Sequence, residues 1–142
     1  MMTDGADPDL TALNAGLSEY ALETFLAENI CELDRGFTLL ERQYRTDVGI
    51  IDLLAKDGRG PVIIELKIGE ADDIAVAQVA RYLGWFKLEK VSPAPFEWHQ
   101  VRAILVAGSF TKGAECAAAT IPDLTLCQFK LARLEFSFHS KL

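Results

Sequence analysis

After residue 18 the chain places apolar side chains every three or four positions, which is the spacing of one face of an α-helix. Ser18 is a good helix N-cap, and the Arg35-Gly36 pair is a typical helix stop. The pattern therefore predicts an amphipathic helix of about four turns between these positions. Residues 1–15 show no such periodicity and are predicted to form a flexible acidic tail. The apolar face of the helix comprises Leu22, Phe25, Leu26, Ile30 and Leu33.

Beyond Gly36 the apolar residues fall into short runs, which are typical of β-strands. The run from Val62 to Ile68 is apolar enough to predict a central strand. A long helix is predicted from Asp72 or Asp73 to about Lys90. The other predicted elements are strands over 37–44, 48–55, 101–107 and 124–129, a short helix over 111–120, and an edge strand over 131–138. The order α-β-β-β-α-β-α-β-β predicts an α/β fold, with a mixed sheet flanked by helices in one domain over 16–142.

The composition of the chain bears on whether it is disordered, membrane-spanning or secreted. The chain has 142 residues, of which 50% are hydrophobic and 25% charged, and this excludes intrinsic disorder. No apolar run reaches the roughly 18 residues of a membrane span, so we expect no membrane association. The acidic N-terminus lacks the features of a signal peptide. Three scattered cysteines indicate reduced, buried thiols, and we therefore expect a cytoplasmic protein.

The formal charge of −7 comes from the amino-terminal part of the chain. Residues 1–34 contain eight acidic residues and no Lys or Arg, whereas residues 35–142 contain 13 acidic and 14 basic residues, a net charge of +1. An acidic total usually disfavours nucleic-acid binding. Because the excess is confined to one end, the charge neither excludes nor favours a polyanionic partner.

Two charges interrupt the apolar third strand. Glu65 and Lys67 are two residues apart, so they point to the same face of a strand. A hairpin through residues 55–61 would bring Asp52 of the preceding strand close to Glu65. Two neighbouring carboxylates repel each other and must share a proton or bind a cation. The residues alone leave two interpretations open, a Mg²⁺ site with oxygen ligands or a structural Asp–Lys–Glu ion-pair cluster.

Asp52 followed by Glu65-Leu66-Lys67 resembles the D…ExK signature of the PD-(D/E)XK nuclease superfamily. The flanking sequences VGIIDLLA at 48–55, VIIELK at 62–67 and AQVARYLGW at 77–85 look like the C-terminal nuclease domain of NucS/EndoMS endonucleases. This similarity is close over about residues 18–88. It implies a restriction-endonuclease-like fold, with an α-β-β-β-α-β core, and a DNA endonuclease that uses Mg²⁺, for which Mn²⁺ is an alternative.

The resemblance assigns roles to individual residues. It implies that Asp52, Glu65 and the Leu66 backbone carbonyl bind the metal, that Lys67 is the catalytic lysine, and that Glu23 acts on the metal directly or through water. Gln78 and Tyr82 match polar residues of the helix over the site, and their i, i+4 spacing places them on one face. Three arginines are candidates for contacts to nucleic-acid phosphates: Arg42, Arg45 and Arg81.

Two departures from the family pattern suggest an alternative function. Full-length members carry an N-terminal DNA-binding and dimerisation domain, where this chain has only the acidic tail. The family also favours basic residues near the motifs, at positions occupied here by Ile50, Ile68 and Glu70. The alternative is a non-catalytic or partner-dependent accessory module that binds nucleic acid. DNA is the expected partner, RNA is not excluded, and a homodimer or a partner chain would supply the missing DNA contacts.

Overall fold

A computed structural model describes residues 18–89, 100–130 and 135–139, which form a six-stranded mixed sheet with helices on both faces. The helices are α1 (Glu19–Glu28), α2 (Asp73–Glu89) and α3 (Lys112–Ala119), and a short 3₁₀ helix spans Ile30–Glu32. The strands are β1 (Thr38–Thr46), β2 (Gly49–Asp57), β3 (Gly60–Ala71), β4 (Arg102–Phe110), β5 (Leu124–Lys130) and β6 (Glu135–Phe138). The element order is the one that the hydrophobic pattern predicts.

The strands lie in the sheet in sequence order, β1 to β6. β1, β2 and β3 form an antiparallel meander, β3, β4 and β5 are parallel, and β6 returns antiparallel at the edge. The parallel pairs are possible because α2 and α3 connect them across one face. β3, buried over residues 60–66, is thus an interior strand, and β6 lies at an edge of the sheet, as predicted. Residues 131–134 of the predicted edge strand and the predicted tail over 1–15 lie outside the described residues.

Two apolar cores fill the space between the sheet and its helices. On one face, α2 and α3 pack against the sheet, with the fully buried Tyr82 and Phe86 among the largest side chains. On the other face, α1 covers the same strands with Leu22 and Leu26, both 0% exposed. Because both faces of β3 are covered over residues 60–66, Glu65 is buried, whereas Lys67 is exposed.

The first helix is shorter than the predicted four turns. It ends at Glu28 because Asn29 leaves the helical conformation, with φ −137° and ψ 48°, while its side-chain Nδ2 donates to the Phe25 carbonyl at 2.9 Å. The chain then continues as the 3₁₀ helix, which still buries Ile30 against the sheet. The apolar pattern correctly identified the buried face, since Ile30 and Leu33 are both in the core. It did not predict the change from an α-helix to a 3₁₀ helix.

All three cysteines are free thiols, but only Cys127 is buried, whereas Cys31 and Cys116 are exposed. The expectation of three buried thiols is therefore wrong for two of them, which lie on solvent-facing turns of short helices. Burial raises the pKa of Cys127 to about 12.

Within the described residues, no helix is long and apolar enough to cross a membrane.

Candidate active site

Asp52 and Glu65 lie together where β2 and β3 stop pairing. The regular register ends at the pair Leu53 and Ile64, which directly follows Asp52 on β2 and directly precedes Glu65 on β3. From there each carboxylate bonds to the other strand's backbone: the Asp52 N–H donates to Glu65 Oε1 at 2.8 Å, and the Leu66 N–H donates to Asp52 Oδ2 at 2.9 Å. These crossed hydrogen bonds fix both carboxylates beside each other at a gap in the sheet.

Both carboxyl groups hold their protons more strongly than exposed ones. Burial, and then the nearby Asp52 carboxylate, raise the pKa of Glu65 to about 8, against the lowering effect of the Asp52 N–H. Burial also raises the pKa of Asp52 to about 6; the Leu66 N–H opposes this, while Glu23 and Glu19 add to it. Burial thus dominates in both cases. Near neutral pH and without a cation, the pair therefore retains a proton, held chiefly by Glu65.

Glu23 approaches the pair from α1 and is 4% exposed. Its Oε2 accepts from Arg42 Nε at 2.9 Å, and its Oε1 accepts from Gln43 Nε2 at 2.6 Å. The same Gln43 amide lies 3.5 Å from Asp52 Oδ1, the outer limit of a hydrogen bond. Both oxygens of Glu23 are therefore engaged, and Gln43 connects it to Asp52. The sequence pattern did not identify Gln43 as a residue of the site, because it lies in a polar edge strand.

Lys67 is exposed at the end of the regular part of β3, where the pairing to β4 shifts register between Lys67 and Glu70. In the described part of the chain its ammonium forms no ion pair with a carboxylate. The Asp–Lys–Glu ion-pair cluster is therefore not what these residues form. The lysine is free to contact a ligand beside the two acids.

Tyr82 and Gln78 connect α2 to the start of β2. The Tyr82 hydroxyl donates to the Ile50 carbonyl at 3.0 Å and accepts from Gln78 Nε2 at 3.0 Å. Gly49 makes this approach possible: its φ is +139°, and a Cβ there would lie 2.6 Å from the hydroxyl oxygen. With its hydroxyl engaged twice and its side chain fully buried, Tyr82 holds the backbone two residues before Asp52.

The three candidate phosphate-binding arginines differ in their surroundings. Arg42 is occupied, since it pairs with Glu23, donates to Thr24 Oγ1 at 2.9 Å and lies 5.4 Å from the centre of the Tyr20 ring. Arg45 and Arg81 are exposed, on β1 and α2 respectively. Of the three candidates, only Arg45 and Arg81 therefore have a guanidinium group that no described residue occupies.

The donor set fits a hard divalent cation. A half-buried carboxylate, Asp52, and a buried one, Glu65, both with raised pKa values, are next to each other, and neither forms an ion pair with a Lys, Arg or His of the described residues. Across the described ranges, no group of three or more His, Cys, Asp and Glu side chains is arranged as a metal cage. Mg²⁺ does not require one, because it is commonly held by one or two carboxylates, with water and substrate phosphate completing its shell.

A separate cavity of about 330 Å³ lies at the amino ends of β3, β4 and β5. Arg59 and Arg102 line it, together with Asp34 and Asp123. Its lining contains none of the candidate site residues, so this cavity is separate from the candidate site.

Comparisons with known proteins find a matching family model and similar sequences. A family model described as the endonuclease NucS C-terminal domain matches residues 18–125. Endonuclease NucS of Methanocaldococcus jannaschii is 36% identical over 108 residues, covering 75% of this chain and 39% of that protein. Endonuclease NucS of Mycobacterium tuberculosis (strain H37Rv) is 43% identical over 81 residues, covering 56% of this chain and 34% of that protein.

Two solved structures have a similar fold. A repair endonuclease from Pyrococcus abyssi has a TM-score of 0.69 and 30% identity, covering 81% of this chain and 48% of that one. EndoMS in a complex with double-stranded DNA has a TM-score of 0.67 and 30% identity, covering 75% and 42%. The mixed sheet with its flanking helices is thus the restriction-endonuclease-like fold. The chain spans less than half the length of each of these four relatives.

Proposed function

Because this chain belongs to the family of endonuclease NucS C-terminal domains, we propose that it is a Mg²⁺-dependent DNA endonuclease that hydrolyses phosphodiester bonds at Asp52 and Glu65. Relatives that are named endonucleases support the reaction class, and a similar structure that is an EndoMS complex with double-stranded DNA supports DNA as the substrate. The expected alternative ion is Mn²⁺.

One observation carries the proposal: the Asp52–Glu65 pair, of which Glu65 is buried and Asp52 half-buried, has no cationic partner among the described residues. Burying two carboxylates side by side is unfavourable unless a proton or cation offsets their repulsion. A purely structural pair would be expected to have a Lys or Arg in contact. Here Lys67 is two residues from Glu65 but makes no ion pair, and Arg42 is taken by Glu23. A divalent ion between the two carboxylates satisfies the charge.

Asp52 and Glu65, with the Leu66 backbone carbonyl, would hold the ion, and Glu23 would act through water. When bound, Mg²⁺ makes a water more acidic and offsets negative charge that develops on the phosphate. Glu65 Oε2 accepts no hydrogen bond from a described residue, so this oxygen is available as a ligand.

Lys67 would orient the attacking water and donate to a phosphate oxygen, because its ammonium is exposed and unpaired beside the acids. The water oxygen bonds to phosphorus and one P–O ester bond breaks; the proton that the water loses is balanced by the one that the leaving oxygen gains, which leaves a phosphomonoester and an alcohol. Tyr82 and Gln78 take no part in the proton transfer in this mechanism. They hold the β2 backbone through the Ile50 carbonyl and so fix the position of Asp52.

The test is a cleavage assay on single-stranded, duplex, branched and mismatched DNA, and on RNA, with Mg²⁺, Mn²⁺ or EDTA. We expect metal-dependent cleavage of at least one DNA substrate. Asp52→Ala and Lys67→Ala should each reduce cleavage by at least about a hundredfold while the circular dichroism spectrum stays unchanged. Lys56→Ala is a matched control, because Lys56 is an exposed lysine on the neighbouring strand β2. Cleavage of no DNA by the wild type with either metal would contradict the proposal.

The second candidate is an accessory module that keeps the fold and depends on a partner chain or a second copy for DNA contacts. It is favoured by the apolar Ile50 and Ile68 and the acidic Glu70 around the site, since phosphate contacts supply most non-specific affinity. Calorimetry with Mn²⁺ separates the two. Binding with cleavage supports the enzyme, whereas binding without cleavage of any DNA favours the partner-dependent module.

A further inference from the structure

Among the described side chains, only the Gln43 amide joins the carboxylate of Glu23 on α1 to that of Asp52 on β2. It donates to Glu23 Oε1 at 2.6 Å and lies 3.5 Å from Asp52 Oδ1. The other Asp52 oxygen accepts the Leu66 N–H. Gln43 therefore supplies the only other described contact that restrains rotation of the Asp52 carboxylate.

The backbone of Gln43 is unusual for the residue it carries. Its φ is +52°, the left-handed region, and among the described residues it is the one non-glycine with a positive φ. Glycine, asparagine and aspartate are the residues normally found in this conformation. Such conformations persist where the surrounding structure enforces them, often at functional sites.

This conformation has a direct consequence for the site. Successive side chains of a regular strand point to opposite faces. Here the neighbouring Arg42 and Gln43 both contact Glu23, one at each carboxylate oxygen. The left-handed residue breaks the alternation of β1 and turns both side chains toward α1. In the register of β1 with β2, Gln43 also lies across from Asp52, between the pairs Arg42–Leu53 and Tyr44–Ile51.

We propose that Gln43 is a positioning residue for the metal site: its side-chain amide joins Glu23 to Asp52 and holds the Asp52 carboxylate in the orientation that faces Glu65. The inference rests on the proposed function, since it takes Asp52 and Glu65 as the residues that hold the cation.

A carboxamide suits this position better than a charged side chain. Its NH₂ group has two hydrogens, one for each carboxylate, and carries no net charge. A Lys or Arg there would neutralise Asp52 and compete with the cation, whereas an Asp or Glu would add repulsion. Gln43 orients the acid and leaves its negative charge available.

The test compares two variants that remove the amide in different ways. Gln43→Met keeps the length of the side chain and the backbone strain but has no donor. Gln43→Gly removes the side chain and tolerates the left-handed backbone. Gln128→Met is the control, because Gln128 is also a strand glutamine with one amide hydrogen bond, to the Gly108 carbonyl at 3.0 Å, and contacts neither carboxylate.

The measurements are the Mn²⁺ dissociation constant by calorimetry, kcat and KM on the cleaved DNA, and the thermal midpoint in EDTA. Both Gln43 variants should raise the Mn²⁺ dissociation constant by about tenfold or more and lower kcat similarly, the usual effect of losing a group that orients a ligand. KM for DNA should stay unchanged, as should all values for Gln128→Met. The thermal midpoint of Gln43→Gly in EDTA should stay within about 2 °C of the wild type, since the backbone strain is removed.

Wild-type Mn²⁺ affinity in either Gln43 variant would overturn the inference, because the amide would then be dispensable. A loss of Mn²⁺ affinity that is matched by Gln128→Met would also overturn it. A wild type that binds Mn²⁺ but cleaves no DNA would overturn the proposed function alone, and the Mn²⁺ constants of the variants would still decide the role of Gln43. A wild type that binds no Mn²⁺ would overturn both.

Discussion

Glu65 destabilises the metal-free protein at neutral and alkaline pH. Its carboxyl group holds its proton up to a pKa of about 8 in the fold, whereas in the unfolded chain it ionises near its ordinary value. The folded state therefore binds more protons than the unfolded state between these two values, so the free energy of unfolding falls as pH rises through this window. Below the ordinary value both states are protonated, and the penalty disappears.

Replacing Glu65 by its neutral isostere should reveal this penalty. Glu65→Gln should increase the free energy of unfolding in EDTA by on the order of 2 kcal/mol at pH 8 and by little at pH 4. The glutamine oxygen can still accept the Asp52 N–H, so the fold keeps this contact. Urea titrations at both pH values measure the difference. An equal effect at the two pH values would show that ionisation is not its cause.

At the scale of single residues, the sequence predicted the acids better than their surroundings. Asp52 and Glu65 interrupt apolar strands joined by a short hairpin, so their proximity follows from pairing alone. The register of β1 with β2 also places Gln43 opposite Asp52. Nothing in the polar segment Glu41-Arg42-Gln43, however, indicates a residue with a left-handed backbone. Strand periodicity assumes alternation, so it could not predict that Arg42 and Gln43 both reach Glu23.

The contact between α2 and β2 depends on one glycine. Gly49→Ala would place a Cβ 2.6 Å from the Tyr82 hydroxyl oxygen at a φ of +139°, so both the clash and the backbone disfavour it. We expect the free energy of unfolding to fall by about 2–4 kcal/mol and DNA cleavage to fall with it, since Asp52 follows three residues later. Gly58→Ala is the control, because a Cβ at Gly58 meets nothing within 4 Å. Denaturant titration measures both variants.

A second glycine, Gly84 of α2, should respond in the opposite sense when it is replaced by alanine. Gly84 lies inside the helix, and an added Cβ there would meet no atom within 4 Å. Gly84→Ala should therefore stabilise the protein by about 0.5–1 kcal/mol, because alanine loses less backbone entropy in a helix. Thermal and chemical unfolding measure the change. A destabilised variant would contradict this prediction, because the added methyl group would then have to clash with a neighbouring atom.

At the scale of elements, periodicity predicted order and type but not every boundary. The central strand is a clear case: it was expected to end at Ile68 but runs to Ala71, because the register shift beyond Lys67 lets pairing to β4 resume. Such a bulge depends on the partner strand, which local periodicity does not contain. The end of α1 at Asn29 likewise depends on one side-chain hydrogen bond to the Phe25 carbonyl.

At the scale of the whole molecule, the net negative charge of the chain disfavours the binding of DNA at the candidate site. The chain carries −7, and the carboxylates that would bind the cation add to the negative potential that DNA would meet. The exposed cations at or near the motifs are Lys67, Arg45 and Arg81, because Arg42 is paired. Each phosphate contact contributes about 0.9 to the slope of log affinity against log salt. With three such contacts, the slope for duplex DNA should be no steeper than about −3.

Adding a basic residue beside the site should strengthen DNA binding without changing the chemistry. Ile50 is 39% exposed and precedes Asp52 by two residues. In an Asp52→Ala background, which prevents cleavage, Ile50→Arg should tighten duplex binding by about threefold to tenfold at 0.1 M salt and steepen the salt slope by about one. Leu88→Arg is the matched control, since Leu88 is exposed near the carboxyl end of α2. Fluorescence anisotropy over a salt series measures both, and equal effects of the two variants would mean that DNA does not approach at Asp52.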